Sequence, residues 1–203
     1  MNDIVEYVSV KSSVGPYEIK EKGSRFISYS KPVSEKTEAE AILAEIRKKY
    51  FDSTHVCFGY RIGEGEEKEL RYSDDGEPSG TAGLPIINEI RGMELFNVLV
   101  IVIRYYGGTK LGTGGLFRAY RDSAKLSLDN SQVHKKIIKT TRTVLIPYDF
   151  MGELMRIVNK YALTILDKKY DNNGISVELS IPVKNLNIVR NTIINISKGK
   201  VDF

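Results

Sequence analysis

Cysteine and histidine are scarce in this chain of 203 residues, which has one cysteine, Cys57, and two histidines, His55 and His134. A lone cysteine excludes an internal disulfide and gives no reason to place the protein in an oxidising compartment. The same scarcity leaves no zinc site at standard ligand spacing. His55 and Cys57 stand two apart on an expected strand and so share a face. A Cys-His nucleophile pair is one reading of them, and a small buried hydrophobe beside a histidine is the other.

Long apolar runs are also missing. The longest, VLVIVI over 98–103, falls far short of the roughly 20 residues a membrane-spanning helix needs. The start, MNDIVEYVSV, carries two acids and no basic stretch ahead of an apolar one. No membrane partner is expected, and the cytoplasm is the expected location. Several catalytic signatures are absent too: there is no G-x-S-x-G, no H-E-x-x-H and no G-x-x-x-x-G-K-[ST]. SYSK over 28–31 matches S-x-x-K without its companions S-D-N and K-T-G, and is set aside. No segment repeats at a period of 20 to 50 residues, which excludes a solenoid or propeller.

What the chain has is an ordinary globular composition, 41% apolar, with a net charge of +4 that is unevenly spread. Residues 1–135 hold 19 basic and 20 acidic residues, whereas 136–203 hold 11 and 6. Within the first part, 62–77 is acidic and 97–135 is basic. Such polarity points to an anionic partner, or to two faces that pair with each other.

The hydrophobic pattern predicts α+β architecture. Alternation in YEIKEKGSRFISYSKPV reads as a hairpin bending at Gly23. A helix follows behind a Ser34 cap, with Ala41, Ile42, Ile46 and Tyr50 at helical spacing. Strands HVCFGYRIG and ELRYS, a short helix over roughly 82–92, the buried strand NVLVIVIRYY and a long helix from near Gly115 complete the first part. After about Lys136 the order is βαββαβ, the ferredoxin-like split unit, with an Asn173-Gly174 hairpin turn and a closing strand KVDF. Two domains are expected, 1–135 and 136–203.

The run IRYYGGTKLGTGGLFRAYR, Ile103 to Arg121, has the form of buried strand, glycine loop and helix. Glycines let backbone N–H groups stand unshielded, and a helix start adds four unpaired N–H groups at the positive end of its dipole. The pattern suits an anion, with Gly107, Gly108, Gly112, Gly114 and Gly115 shaping a cradle and Arg104, Lys110, Arg118 and Arg121 as phosphate ligands. The plainer alternative is a tight turn for close packing of strand on helix. Tyr105, Tyr106, Phe117 and Tyr120 interleave with these cations as candidate stacking platforms for RNA bases. In RYSDDGEPSGTAGLP, the acids Asp74, Asp75 and Glu77 are weak candidate Mg²⁺ ligands, or partners for Arg71, Arg104 or the next helix start.

Three blocks, THVCFGYRIG, DDGEPSGTAGLPIINEI and VIVIRYYGGTKLGTGGLFRAY, in this order and spacing, resemble bacterial members of the IMPACT/YigZ family. The resemblance implies an N-terminal domain like domain IV of elongation factor G, a fold shared with ribosomal proteins. It implies a ferredoxin-like C-terminal domain similar to that factor's domain V, and a setting in translational control. The expected function is a non-enzymatic RNA- or ribosome-binding factor without a cofactor, its footprint extended by the basic C-terminal domain. The alternatives are a Mg²⁺-dependent enzyme acting on a phosphorylated small molecule, and a protein-interaction module in translational control.

Overall fold

The structure, a computed structural model, describes residues 5–170, 172, 174–197, 201 and 203. By internal contacts it divides into a larger unit, Glu6–Lys136, and a smaller one, Ile137–Phe203 joined by Val5. The fold is mixed α and β in both. Among the described residues no helix is long and apolar enough to cross a membrane.

In the larger unit the strands are β1 (Glu6–Val10), β2 (Val14–Glu21), β3 (Ser24–Pro32), β4 (His55–Gly63), β5 (Glu67–Ser73), β6 (Val98–Tyr105) and β7 (Val133–Ile137). The helices are α1 (Lys36–Lys49), α2 (Gly83–Gly92) and α3 (Gly112–Asp129). Five strands form an antiparallel sheet in the order β2-β3-β6-β4-β5, while β1 pairs with β7. The β2–β3 turn closes over Lys22 and Gly23, both at positive φ (45° and 81°), with Glu21 opposite Ser24. That matches the twist an antiparallel hairpin requires.

The unbroken apolar run on β6 is explained by two cores sharing one strand. Val98, Val100 and Val102 face a cluster with Ile86, Ile87 and Ile90 of α2 and Leu116, Ala119 and Tyr120 of α3. Leu99, Ile101 and Ile103 face the other way, against Ala39, Leu43 and Ile46 of α1. Successive strand side chains point to opposite faces, so a strand covered on both sides loses its polar alternation.

Two expectations about α1 are corrected. Its buried stripe is Ala39, Leu43 and Ile46, and Ala41 is exposed. Ser34 does not cap the helix; Glu35 occupies the N-cap, and the Ser34 amide and hydroxyl donate to Glu38 Oε2 at 2.7 and 3.1 Å. The acid lies in the first turn, where it also favours the helix dipole.

The smaller unit runs β8 (Lys139–Ile146), α4 (Met151–Lys160), β9 (Thr164–Tyr170), β10 (Ile175–Pro182) and α5 (Leu186–Ile196). Its antiparallel sheet has the order β8-β10-β9, which places the third strand of the unit between the first two, as a split βαβ requires. Ile175, Val177, Leu179 and Ile181 of the central strand share a core with Leu154, Ile157 and Val158 of α4 and Val189 and Ile193 of α5. The expected Asn173-Gly174 turn and closing strand KVDF involve Asn173, Lys200 and Asp202, which lie outside the described residues.

Ile101 is fully buried at the centre of the second core. Ile101→Ala is expected to lower the unfolding free energy by ~3 kcal/mol, the usual scale for emptying such a site. Urea unfolding read by far-ultraviolet dichroism checks it, and a loss below ~1 kcal/mol would contradict the shared-strand account.

Candidate functional site

Register places Phe26, Arg104 and His55 side by side on β3, β6 and β4, one row below Ser28, Val102 and Cys57. Arg104 thus extends the even-numbered, inward face of β6, and its side chain is buried. Glu77 comes down on it from the loop between β5 and α2, with Arg104 Nη1 to Glu77 Oε1 at 2.6 Å. Tyr120 of α3 donates to the same oxygen at 2.8 Å, and its ring meets Phe26 edge-on at 5.1 Å between centroids. His55 Nδ1 contacts the Asp75 carbonyl at 2.7 Å. Since a carbonyl only accepts, Nδ1 carries the proton and Nε2 faces Glu77 Oε1 at 3.8 Å. The buried pair is thus supported by Tyr120 on the Glu77 side and by Ser24 Oγ at Arg104 Nη2, while the buried Arg104 Nε has no hydrogen-bond partner among the described residues.

The acidic loop is held by its own carboxylates. Asp74 accepts from the amides of Gly80, Ala82 and Gly83 at 2.8 to 2.9 Å, which caps the start of α2 from a distance in sequence. Asp75 Oδ2 accepts from Val56 N at 2.7 Å, and its other oxygen lies 3.5 Å from Arg47. Glu77 is committed to Arg104. Asp74, Asp75 and Glu77, the weak candidate Mg²⁺ ligands, are each engaged by a different protein partner. Among the described residues no group of three or more His, Cys, Asp or Glu side chains could hold a metal ion.

Cys57 is fully buried and donates to the Asp74 carbonyl at 3.0 Å. Burial pushes its thiol far up from the usual range, and burial does the same to the Tyr120 phenol. A thiol held protonated in this way is a poor nucleophile, so of the two readings of Cys57 the buried hydrophobe fits.

The glycine loop separates into a part packed on the β2–β3 turn and an open part. Gly107 packs back to back with the β2–β3 turn: a Cβ there would lie 1.9 Å from the Gly23 carbonyl carbon, and its amide donates to Ser24 Oγ at 3.1 Å. Ser24 Oγ also lies 3.3 Å from Arg104 Nη2, so one hydroxyl links the buried pair to the loop. Arg104 and Gly107 therefore belong to the framework rather than to a cradle, and Arg121 is engaged by Asp122 at 2.7 Å. Gly108, Lys110, Gly112 and Gly114 are exposed, and Gly115 is half-buried. Gly108 and Gly112 adopt positive φ (86° and 72°) with no atom near a prospective Cβ, so only the turn geometry asks for glycine there.

The helix starts at Gly112 rather than near Gly115, with no side-chain cap and no acid in its first turn. Arg118, exposed, lines a hollow of about 170 Å³ with Leu111, Gly115, Lys22, Glu21 and Asp122. Neither Lys110 nor Arg118 has an ion-pair partner among the described residues. Tyr120, expected as a stacking candidate, is in the core instead; the spacing Leu116, Ala119, Tyr120, Ser123, Ala124 and Ser127 is the signal that assigns it there.

The framework thus joins residues from all three sequence blocks, His55 and Cys57 from the first, Asp74 to Glu77 from the second, and Arg104 and Tyr120 from the third. Residues 22–128 match the model of the Impact N-terminal domain. The chain is 32% identical over 197 residues to "IMPACT family member YvyE" of Bacillus subtilis, covering 97% of this chain and 89% of that one. It belongs to the IMPACT family. "IMPACT family member YigZ" of Escherichia coli is 31% identical over 150 residues, 73% of this chain and 74% of the relative. A crystal structure described as that of an hypothetical protein superposes on this IMPACT-family chain with a TM-score of 0.76 at 25% identity, covering 98% and 96% of the two chains. Both units therefore have a counterpart in that solved structure.

Glu77→Gln strands a buried guanidinium and is expected to cost ~3–5 kcal/mol, while Glu77→Gln with Arg104→Met should recover most of that. Equal loss in the single and double variants, measured by urea unfolding, would refute the pairing as the source. Cys57 in the native protein should react with iodoacetamide only as fast as the protein opens. Labelling as rapid as that of a free thiol would refute its burial.

Proposed function

We propose that this protein is a non-enzymatic RNA- or ribosome-binding factor in translational control, holding backbone phosphates at the exposed part of the glycine loop. The ligands are the amides of the first turn of α3 with Lys110 and Arg118, and Gly108, Gly112, Gly114 and Gly115 keep side chains out of the way. The observation that carries this reading is the bare start of α3, exposed, uncapped and free of acid in a chain that caps α2 with Asp74. Unpaired amides at a helix start and the dipole behind them favour an anion. Two nearby cations add charge-assisted contacts and salt dependence. Family membership supports the translational setting, which is what the IMPACT/YigZ resemblance implies.

Arg104 is left out of this ligand set because it is buried against Glu77, and Arg121 because it pairs at the surface with its neighbour Asp122. Lys110→Ala with Arg118→Ala is expected to weaken RNA binding and to flatten the log–log salt slope by about 1.5, the release expected from two phosphates. Fluorescence anisotropy across a salt series checks it. Unchanged affinity and slope would sink the assignment.

A further inference from the structure

Phe51 is 84% exposed, the most exposed large apolar side chain among the described residues, and Tyr106 is 46% exposed. An isolated surface phenylalanine is unremarkable on any protein. Phe51, however, is in a turn that is fastened to the glycine loop. Thr54 N donates to the Arg104 carbonyl at 2.8 Å, Tyr106 N donates to Thr54 Oγ1 at 2.9 Å, and Tyr105 Oη donates to Asp52 Oδ1 at 2.7 Å. Ser53 N closes the turn onto the Tyr50 carbonyl at 3.0 Å. The backbone carrying Phe51 is thereby fixed beside the residue that opens the Gly107–Gly108 turn.

The surroundings are cationic. Lys48 precedes the turn, Lys110 follows Tyr106 in the loop, and the Arg104 guanidinium lies 5.5 Å from the Tyr106 ring centroid, which holds that ring from the protein side, whereas the Lys49 ammonium turns to Tyr29 and Tyr50. The acid of the turn, Asp52, accepts from Tyr105 and is satisfied there. An exposed Phe51 on a tethered turn and a Tyr106 ring backed by Arg104, beside the turn to which the phosphate reading assigns an anion, have the chemistry of a stacking platform. An aromatic face stacks on any nucleobase, and neighbouring cations track the backbone. In a duplex the base faces are hidden against one another, so such a platform serves unpaired nucleotides.

We propose that Phe51 and Tyr106 stack the bases of single-stranded RNA whose phosphates bind at Gly108–Gly115. The proposal rests on the phosphate reading above and adds the strandedness of the ligand and the residues that select it.

The test uses the full chain and three labelled probes: a short oligouridylate, the same backbone without bases, and a duplex. The wild type is expected to bind the intact strand about tenfold more tightly than the abasic one, in line with one or two stacked bases, and more tightly than the duplex. Phe51→Ala with Tyr106→Ala should abolish that advantage and leave the salt slope unchanged, whereas Lys110→Ala with Arg118→Ala should reduce the slope and keep the advantage. An unchanged melting temperature confirms that the aromatic variant is folded. Equal binding of intact, abasic and duplex probes by the wild type, or an advantage that survives the aromatic substitutions, overturns stacking while leaving phosphate binding in place. No binding of any probe defeats the phosphate reading and this one with it.

Discussion

The contact between Arg104 and Glu77 governs the architecture of the larger unit. Both side chains are almost entirely removed from water, and a buried charge is tolerable only when matched and hydrogen-bonded. Tyr120 and Ser24 supply the additional partners, and each comes from a different element. The pair therefore holds the loop after β5, the end of β6, the β2–β3 turn and α3 at one point. A hydrophobic contact of the same size would tolerate sliding. A directional charge pair with shared acceptors fixes where each backbone runs.

That fixing explains how the glycine loop can be both tight and open. Its first glycine, Gly107, is pressed against Gly23, and Ser24 connects it to the buried arginine. Beyond it the chain turns outward through Gly108 and enters α3 at Gly112 without a capping side chain. The five glycines thus do different work: one permits contact between backbones, two permit positive φ, and the last pair leaves the helix start uncovered. The same division holds for charge, with the acids of the second block directed inward to amides and an arginine, and the cations of the third block split between the interior and the surface.

Much of the fold was legible in the amino-acid order. The β2–β3 hairpin, the doubly buried strand and the βαββα course of the smaller unit follow from alternation, run length and turn residues, which are local properties. The local signals failed at α1, where Ala41 looked like part of the apolar stripe and Leu43 occupies it. Tyr120 was ambiguous for a similar reason, because an aromatic beside arginines suits a stacking surface and a buried donor equally well until the facing partner is known. Phe51 gave no signal in the sequence, as a lone phenylalanine after a helix carries no pattern.

The sequence by itself determined the family, the two-part α+β organisation and the presence of a glycine turn opening a helix, since these rest on spacing along the chain. Which charges remain available to a ligand was decided only by the tertiary structure. Arg104 and Lys110 are six residues apart and read alike in one dimension, yet one points into the sheet's covered face against Glu77 and the other stands in an exposed turn. Pairing between residues 27 positions apart depends on strand register and on how a loop folds back, and neither is encoded by any local periodicity.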